Sequence, residues 1–286
     1  MTYAEWFDQY LALYKRKLAP KTRESYKRLH QLLAPIHGAA LEDLTPDQLQ
    51  AALIHVEQAA GSRQAQLAYT LLSGALARAV RSGHIKASPM SAIDKPEHDA
   101  AEGRALSAAD WDALLPEIIA DPAFALLALA GLRRGEVLGL RRADVDLDAG
   151  LLRVRRQRLR CAGKLITCTP KSKSGVRDVP ILPELRPVLL QACRLLHPSA
   201  YLVTCAPETL ARRWRAAQLR AGIAQPYRLH DLRHTYATRM VARGCSPRVL
   251  QYMIGHSSLD LTMRVYTHID ANIALEECRR ICGSLH

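Results

Sequence analysis

The sequence predicts a mainly α chain with a small antiparallel sheet, an α+β protein built as two domains. Three observations carry that class. Apolar residues recur at helical spacing over most of the 286 residues, punctuated by capping residues, Gly and Pro. Short β-prone runs gather only between Leu151 and Ile181. Between them in character is Asp94 to Arg104, DKPEHDAAEGR, which has no apolar period and mixes charge with Pro, Gly and Ala, as an exposed linker does. The expected boundaries are a helical domain over 1–93, a linker over 94–104 and a second domain over 105–286.

In the first domain, Thr2 and Glu5 form a capping box ahead of Tyr3, Trp6, Phe7, Tyr10, Leu11 and Tyr14, which share a helical face. Pro20 opens a second helix with Tyr26, Leu29 and Leu33 as its stripe. Lys15, Lys17, Lys21, Arg23, Lys27 and Arg28 crowd its start, either a solvated face or one that meets phosphates. Thr45-Pro46-Asp47-Gln48 combines an N-cap, a first-turn proline and a capping-box glutamine. Ser62 then starts a fourth helix that Gly83 stops.

The second domain opens with helices over Ser107 to Ile119 and Asp121 to Ala130, the latter closed by Gly131. Taken alone, Arg133, Arg134 and Glu136 read as a surface charge cluster. The runs LLRVRRQR, KLITCTP and VRDVPI predict one small antiparallel sheet. Helices follow over Pro183 to Leu196 and Pro207 to Ala221, the second strongly basic through Arg212, Arg213, Arg215 and Arg220. From Leu229 to Met240 the period is again helical until Gly244, with His230 and Arg233 on one face and Tyr236 among the core positions. Ser246-Pro247 begins a short helix ending at Gly255, which places His256 at a helix exit and Tyr252 at core spacing. Leu259 to Val265, Tyr266, and an amphipathic tail from Ala271 to Leu285 complete the chain.

A net charge of +13, spread along the chain, suggests a polyanionic partner, nucleic acid foremost. Seven cysteines without a CxxC pair argue against a disulfide framework or a zinc ribbon. Cys278 and Cys282, one turn apart, read as buried thiols before metal ligands. MTYAEWFDQY has no basic start followed by an apolar run, and no stretch reaches membrane-spanning length, so a cytoplasmic, nucleoid-associated protein is expected.

Arginine, imidazole and phenol near the C-terminus suit phosphoryl transfer without a metal. Arg233 offers a bidentate grip on two oxygens, a histidine donates to a third, and Tyr266 attacks phosphorus. A tyrosyl ester keeps the bond energy, so a sugar hydroxyl reseals the backbone without ATP. The rival is a zinc site at His230 and His234, spaced i, i+4, with His256 or His268 as third ligand. Against it, Asp231 stands where zinc peptidases carry glutamate, and Arg233 would repel a cation.

LHDLRHTYAT, IGHSSLDLTMRVYTH and, upstream, GLRRGEVLGL resemble the boxes of the tyrosine recombinases, or phage integrases. The resemblance implies a helical core-binding domain before a catalytic domain, and a site-specific recombinase working through a 3′-phosphotyrosyl intermediate on Tyr266. It implies that Arg133 and Arg233 hold the scissile phosphate, with Glu136 the acidic partner of Arg133. His256 would donate to a non-bridging oxygen, His230 would act as acid/base, and Lys173, with Lys171 as runner-up, would protonate the leaving oxygen. No cofactor and no metal is expected. The expected partners are double-stranded DNA bearing a specific recombination site and further copies of the chain, a tetramer on synapsed DNA, with the tail packing on a neighbour or at home. Lys21, Arg23, Lys27, Arg212 and Arg213 are the candidate DNA contacts outside the centre. The alternatives are an architectural DNA-binding protein or regulator without chemistry, and a type IB topoisomerase-like enzyme.

Overall fold

The structure is a computed structural model that describes residues 1–98, 103–170, 172–256 and 263. The chain divides into two compact units, Met1–Glu102 and Gly103–His286.

The first unit is helical throughout its described residues, with α1 (Tyr3–Tyr14), α2 (Pro20–Leu32), α3 (Pro46–Ala60) and α4 (Ser62–Arg81). Both capping boxes form: Thr2 with Glu5, and Thr45 with Gln48. The α1 face of Tyr3, Trp6, Phe7, Tyr10 and Leu11 is buried, and the Trp6 indole donates to the Ala75 carbonyl of α4 at 3.0 Å. Alanines 65, 68, 75 and 79 make α4 narrow enough for its neighbours to approach closely. Ser62 starts α4, as expected. Gly61, at φ +86°, ends α3 and precedes α4 directly, leaving Ser62 as the first helical residue.

The second unit contains α5 (Ala108–Ala120), α6 (Pro122–Ala130), α7 (Arg134–Gly139), β1 (Val145–Asp146), β2 (Leu151–Val154), β3 (Gln157–Cys161), β4 (Lys164–Cys168), β5 (Arg177–Pro180), α8 (Arg186–Cys193), α9 (Pro207–Arg220), α10 (Asp231–Ala242) and α11 (Pro247–Ile254). Residues Ala123 to Ala130 are all buried, so α6, apolar on every side, is the axis of this unit. Both helices expected here form, with Ser107 and Asp121 as their N-caps.

The single sheet expected is instead two. One has order β1-β2-β5, antiparallel, with Leu152 opposite Val179; the other is the hairpin β3–β4. The LLRVRRQR run breaks at Arg155-Arg156 because each arginine finds a carboxylate, Arg155 on Asp178 at 2.5 Å and Arg156 on Asp144. Beyond the break β3 lies on α7, where a Cβ at Gly139 would come within 2.8 Å of the Arg156 carbonyl oxygen. Helix α8 is also shorter than predicted. Residues 183–185 form a turn, and Leu195, 93% exposed, has no apolar surface to extend the helix onto.

Candidate active site

The site is built on the C-terminal end of α11. Ser246 caps this helix by accepting from the Val249 amide, Pro247 takes its first position, and Gly255 closes it in the left-handed region at φ +68°. The last carbonyls of a helix lack internal partners and carry its negative dipole end, so they attract cations. Here three successive carbonyls each take an arginine from elsewhere. Met253 accepts from Arg177 Nε at 2.7 Å, Ile254 from Arg233 Nη2 at 2.6 Å, and Gly255 from Arg133 Nη2 at 2.5 Å.

Each arginine arrives on a different element. Arg133 precedes α7, just past the α6 stop at Gly131. Only glycine serves there, because a Cβ would lie 2.3 Å from the Tyr236 ring and φ is +61°. The freed Gly131 carbonyl accepts from Arg233 Nη1 at 2.5 Å. Arg233 lies in the first turn of α10 and is only 4% exposed. Arg177 begins β5.

One carboxylate serves two of these cations. Glu136, buried in α7, accepts from Arg133 Nη1 at 2.8 Å and from the Arg133 amide at 2.8 Å. Arg177 approaches both its oxygens, at 3.1 and 3.0 Å. Burial alone would raise the Glu136 pKa; the hydrogen bonds and charge of Arg177, with Arg133, hold it below the usual range.

Two imidazoles complete the cluster. His256 follows Gly255 and is partly buried; desolvation first, then the charges of Arg233 and Arg133, push its pKa down to about 4. The His230 pKa is lowered by desolvation first and then by Arg233, although the residue as a whole is exposed. Burial and Arg133 lower even the Arg233 guanidinium to about 9, so it remains charged at neutral pH. Both imidazoles are therefore neutral near pH 7, among cations.

Lys173 opens the 3₁₀ turn Lys173–Gly175 between β4 and β5. This turn rests on the same helix end: a Cβ at Gly255 would meet the Ser174 carbonyl oxygen at 2.8 Å. Arg133, Arg233, His256, His230 and the backbone of the Lys173 turn are thus gathered around one helix terminus.

Residues 107–272 match the phage integrase family. The chain belongs to that family. It is 30% identical over 285 residues to the putative prophage phiRv2 integrase of Mycobacterium tuberculosis (strain CDC 1551 / Oshkosh), an alignment spanning 93% of this chain and 73% of that one. Tyrosine recombinase XerD of Pseudomonas aeruginosa is 30% identical over 280 residues, 92% of each chain. Other relatives are spanned less fully, the tyrosine recombinase XerC-like protein of Caldanaerobacter subterraneus over 44% of its length. Among solved structures, the Tn1549 transposon integrase in complex with transposon right end DNA has the same fold at TM-score 0.80 and 21% identity, covering 99% of this chain and all of that one. A lambda integrase tetramer bound to a Holliday junction matches at TM-score 0.68 and 21% identity over 94% of this chain and 80% of that one.

Within this integrase-family chain, several residues fall differently from their sequence reading. His230 is not inside a helix but at the N-cap of α10, still one turn from Arg233. Tyr236 is buried, whereas Tyr252 is 55% exposed and its hydroxyl accepts from the Asp178 amide at 3.3 Å, so it is not a core tyrosine. Arg23 turns back to donate to the Lys15 and Arg16 carbonyls at 3.1 and 3.3 Å, bracing its own turn. Arg213 pairs with Asp121 and ties α9 to the start of α6. Lys21 pairs with Glu24 at 2.8 Å on the surface, while Lys27 and Arg212 are exposed. Lys171, Leu259 to Val265 apart from Met263, Tyr266, His268, and the Ala271 to Leu285 tail with Cys278 and Cys282 lie outside the described residues. Arg177 was not singled out in the sequence. The available signal was its place two residues before Val179 in VRDVPI, on the strand face that turns inward.

Proposed function

We propose that this phage integrase family member is a site-specific tyrosine recombinase that cuts and rejoins double-stranded DNA through a 3′-phosphotyrosyl ester on Tyr266, without ATP, cofactor or metal. The observation that carries this reading is the α11 terminus. There Arg133 and Arg177 share the Glu136 carboxylate, Arg233 is held by the Gly131 and Ile254 carbonyls, and two neutral imidazoles stand beside them. A site short of negative charge and rich in donors suits the non-bridging oxygens of a phosphodiester.

In the proposed step the Tyr266 oxygen bonds to phosphorus as the bond from phosphorus to the 5′ oxygen breaks. His230 takes the phenolic proton, and Lys173, in preference to Lys171, gives one to the departing 5′ oxygen. Arg133 and Arg233 meet the charge that grows on the non-bridging oxygens, and His256 donates to one of them as a neutral imidazole. Attack by a 5′ hydroxyl on the ester reverses the step and reseals the strand. Its partners are then DNA with a specific recombination site and further copies of the chain, assembled as a tetramer on synapsed DNA, in the cytoplasm at the nucleoid. Exposed Lys27 and Arg212, with Lys21, would meet the DNA backbone. The prophage and Xer names of the relatives favour a recombinase over a type IB topoisomerase, and the nucleophile separates it from a DNA-binding protein without chemistry.

Tyr266→Phe removes one oxygen and keeps the ring, so duplex binding should persist while covalent adducts with a nicked suicide duplex vanish from denaturing gels. Adducts that survive Tyr266→Phe but disappear in Tyr252→Phe would transfer the role to the exposed tyrosine of α11.

A further inference from the structure

Among the described residues, Arg177 touches α7, the end of α11 and the turn opened by Lys173, yet it is 3% exposed. Three of its four hydrogen bonds join segments far apart in sequence, and the fourth ties it to the turn just before its own strand. Nε reaches Met253 in the last turn of α11 at 2.7 Å. Nη2 reaches Glu136 of α7 at 3.0 Å. Nη1 is shared between Glu136 at 3.1 Å and the Gly175 carbonyl, in the turn opened by Lys173, at 3.2 Å. A planar fork can satisfy acceptors in these separate directions; an ammonium, with three donors on one atom, cannot reach them together.

The strand does not depend on this side chain. Arg177 pairs through its backbone with Val154 of β2, and Val179 anchors β5 in the core. What the guanidinium adds is the fixed spacing between the Lys173 turn, the Arg133–Glu136 pair and the residue before Ile254. Resting on the recombinase reading above, we infer that Arg177 is a positioning residue for strand cleavage: it holds the Lys173 turn, and through Glu136 holds Arg133, against the end of α11.

The test uses the full chain and a nicked suicide duplex in single-turnover cleavage, with Arg177→Lys and Arg177→Gln beside Lys173→Ala and Glu136→Gln. Each variant is also assayed on the same duplex with sulfur in place of the bridging 5′ oxygen. The thiol leaving group, with a pKa of about 8.5, departs without a proton donor. Arg177→Lys should bind the duplex as the parent does but form adduct slower by on the order of 100-fold, the cost of a misplaced group. Sulfur should recover about 10-fold or more of that loss, as it should for Lys173→Ala, because both defects fall on leaving-group protonation. For Glu136→Gln, which acts on Arg133, sulfur should recover little.

Arg177→Lys at the parental rate overturns the inference, and so does loss of the fold in both Arg177 variants, since the role would then be structural. A deficit that sulfur leaves unchanged in Arg177→Lys, while rescuing Lys173→Ala, overturns it and leaves the recombinase reading standing. Failure of the parent chain to form any adduct overturns that reading and the inference with it.

Discussion

His256 shows how much one side chain's surroundings decide. Desolvation and the nearby guanidiniums of Arg233 and Arg133 keep it neutral down to about pH 4 in the folded chain. An unfolded imidazole, with a pKa of about 6.5, takes up the proton that the folded one refuses. Acidification across that window therefore favours the unfolded chain, and the stability linked to this group is complete only above the upper value. His30, stacked on Phe7 and His37 in the first unit, is also lowered to about 4 by desolvation and contributes with the same sign. The expected outcome is a fall in the urea midpoint of the second unit between neutral pH and pH 4 that is shallower in His256→Asn than in the parent. Identical slopes would show that the imidazole is not held as described. Little of this was readable beforehand: the motif marks His256, but its cationic neighbours come from Arg133 and Arg233, far away in sequence, and no local pattern encodes that distance.

Among the elements, α11 is short but bears on most of the site. Its limits were legible, because Ser246-Pro247 and Gly255 are local signals with local causes. The division of the strands was not, since the break after Val154 depends on where Asp144 and Asp178 end up in space. Removing the cap should separate helix stability from chemistry. Ser246→Ala deletes the acceptor for the Val249 amide and should cost about 1 kcal/mol. Fraying at the start of so short a helix should loosen the carbonyls at its end, so adduct formation should slow although no arginine has changed. Thermal melting and single-turnover cleavage on one preparation would check both effects, and an unchanged rate with a lowered melting point would show that the two ends of α11 are independent.

For the molecule as a whole, two helical-period regions around a charged linker were plain in the sequence, and the structure divides at Glu102, inside that stretch. Net charge was equally plain, but the use of individual arginines was not. A net charge of +13 suggests phosphate contacts, yet Arg213 is spent on Asp121 and Arg23 on its own turn. If Arg212 meets a phosphate, Arg212→Ala should weaken binding to all duplexes alike and reduce the slope of log affinity against log salt by about 0.9. Arg213→Ala should instead lower the melting temperature and leave that slope nearly unchanged. Filter binding across a salt series, with melts of both variants, distinguishes the two.

The grip of three arginines on main-chain oxygens has a further consequence, in what substitution the site tolerates. Carbonyls are supplied by any residue, so Met253 and Ile254 are fixed only by their burial and not by what the arginines need. Exchange among apolar residues of similar volume at these two positions should leave activity near the parental level, a drift that costs the chemistry nothing. Proline at either position should abolish it, because it distorts the backbone that presents those oxygens. Such a centre is free to vary in its side chains while its backbone is held constant.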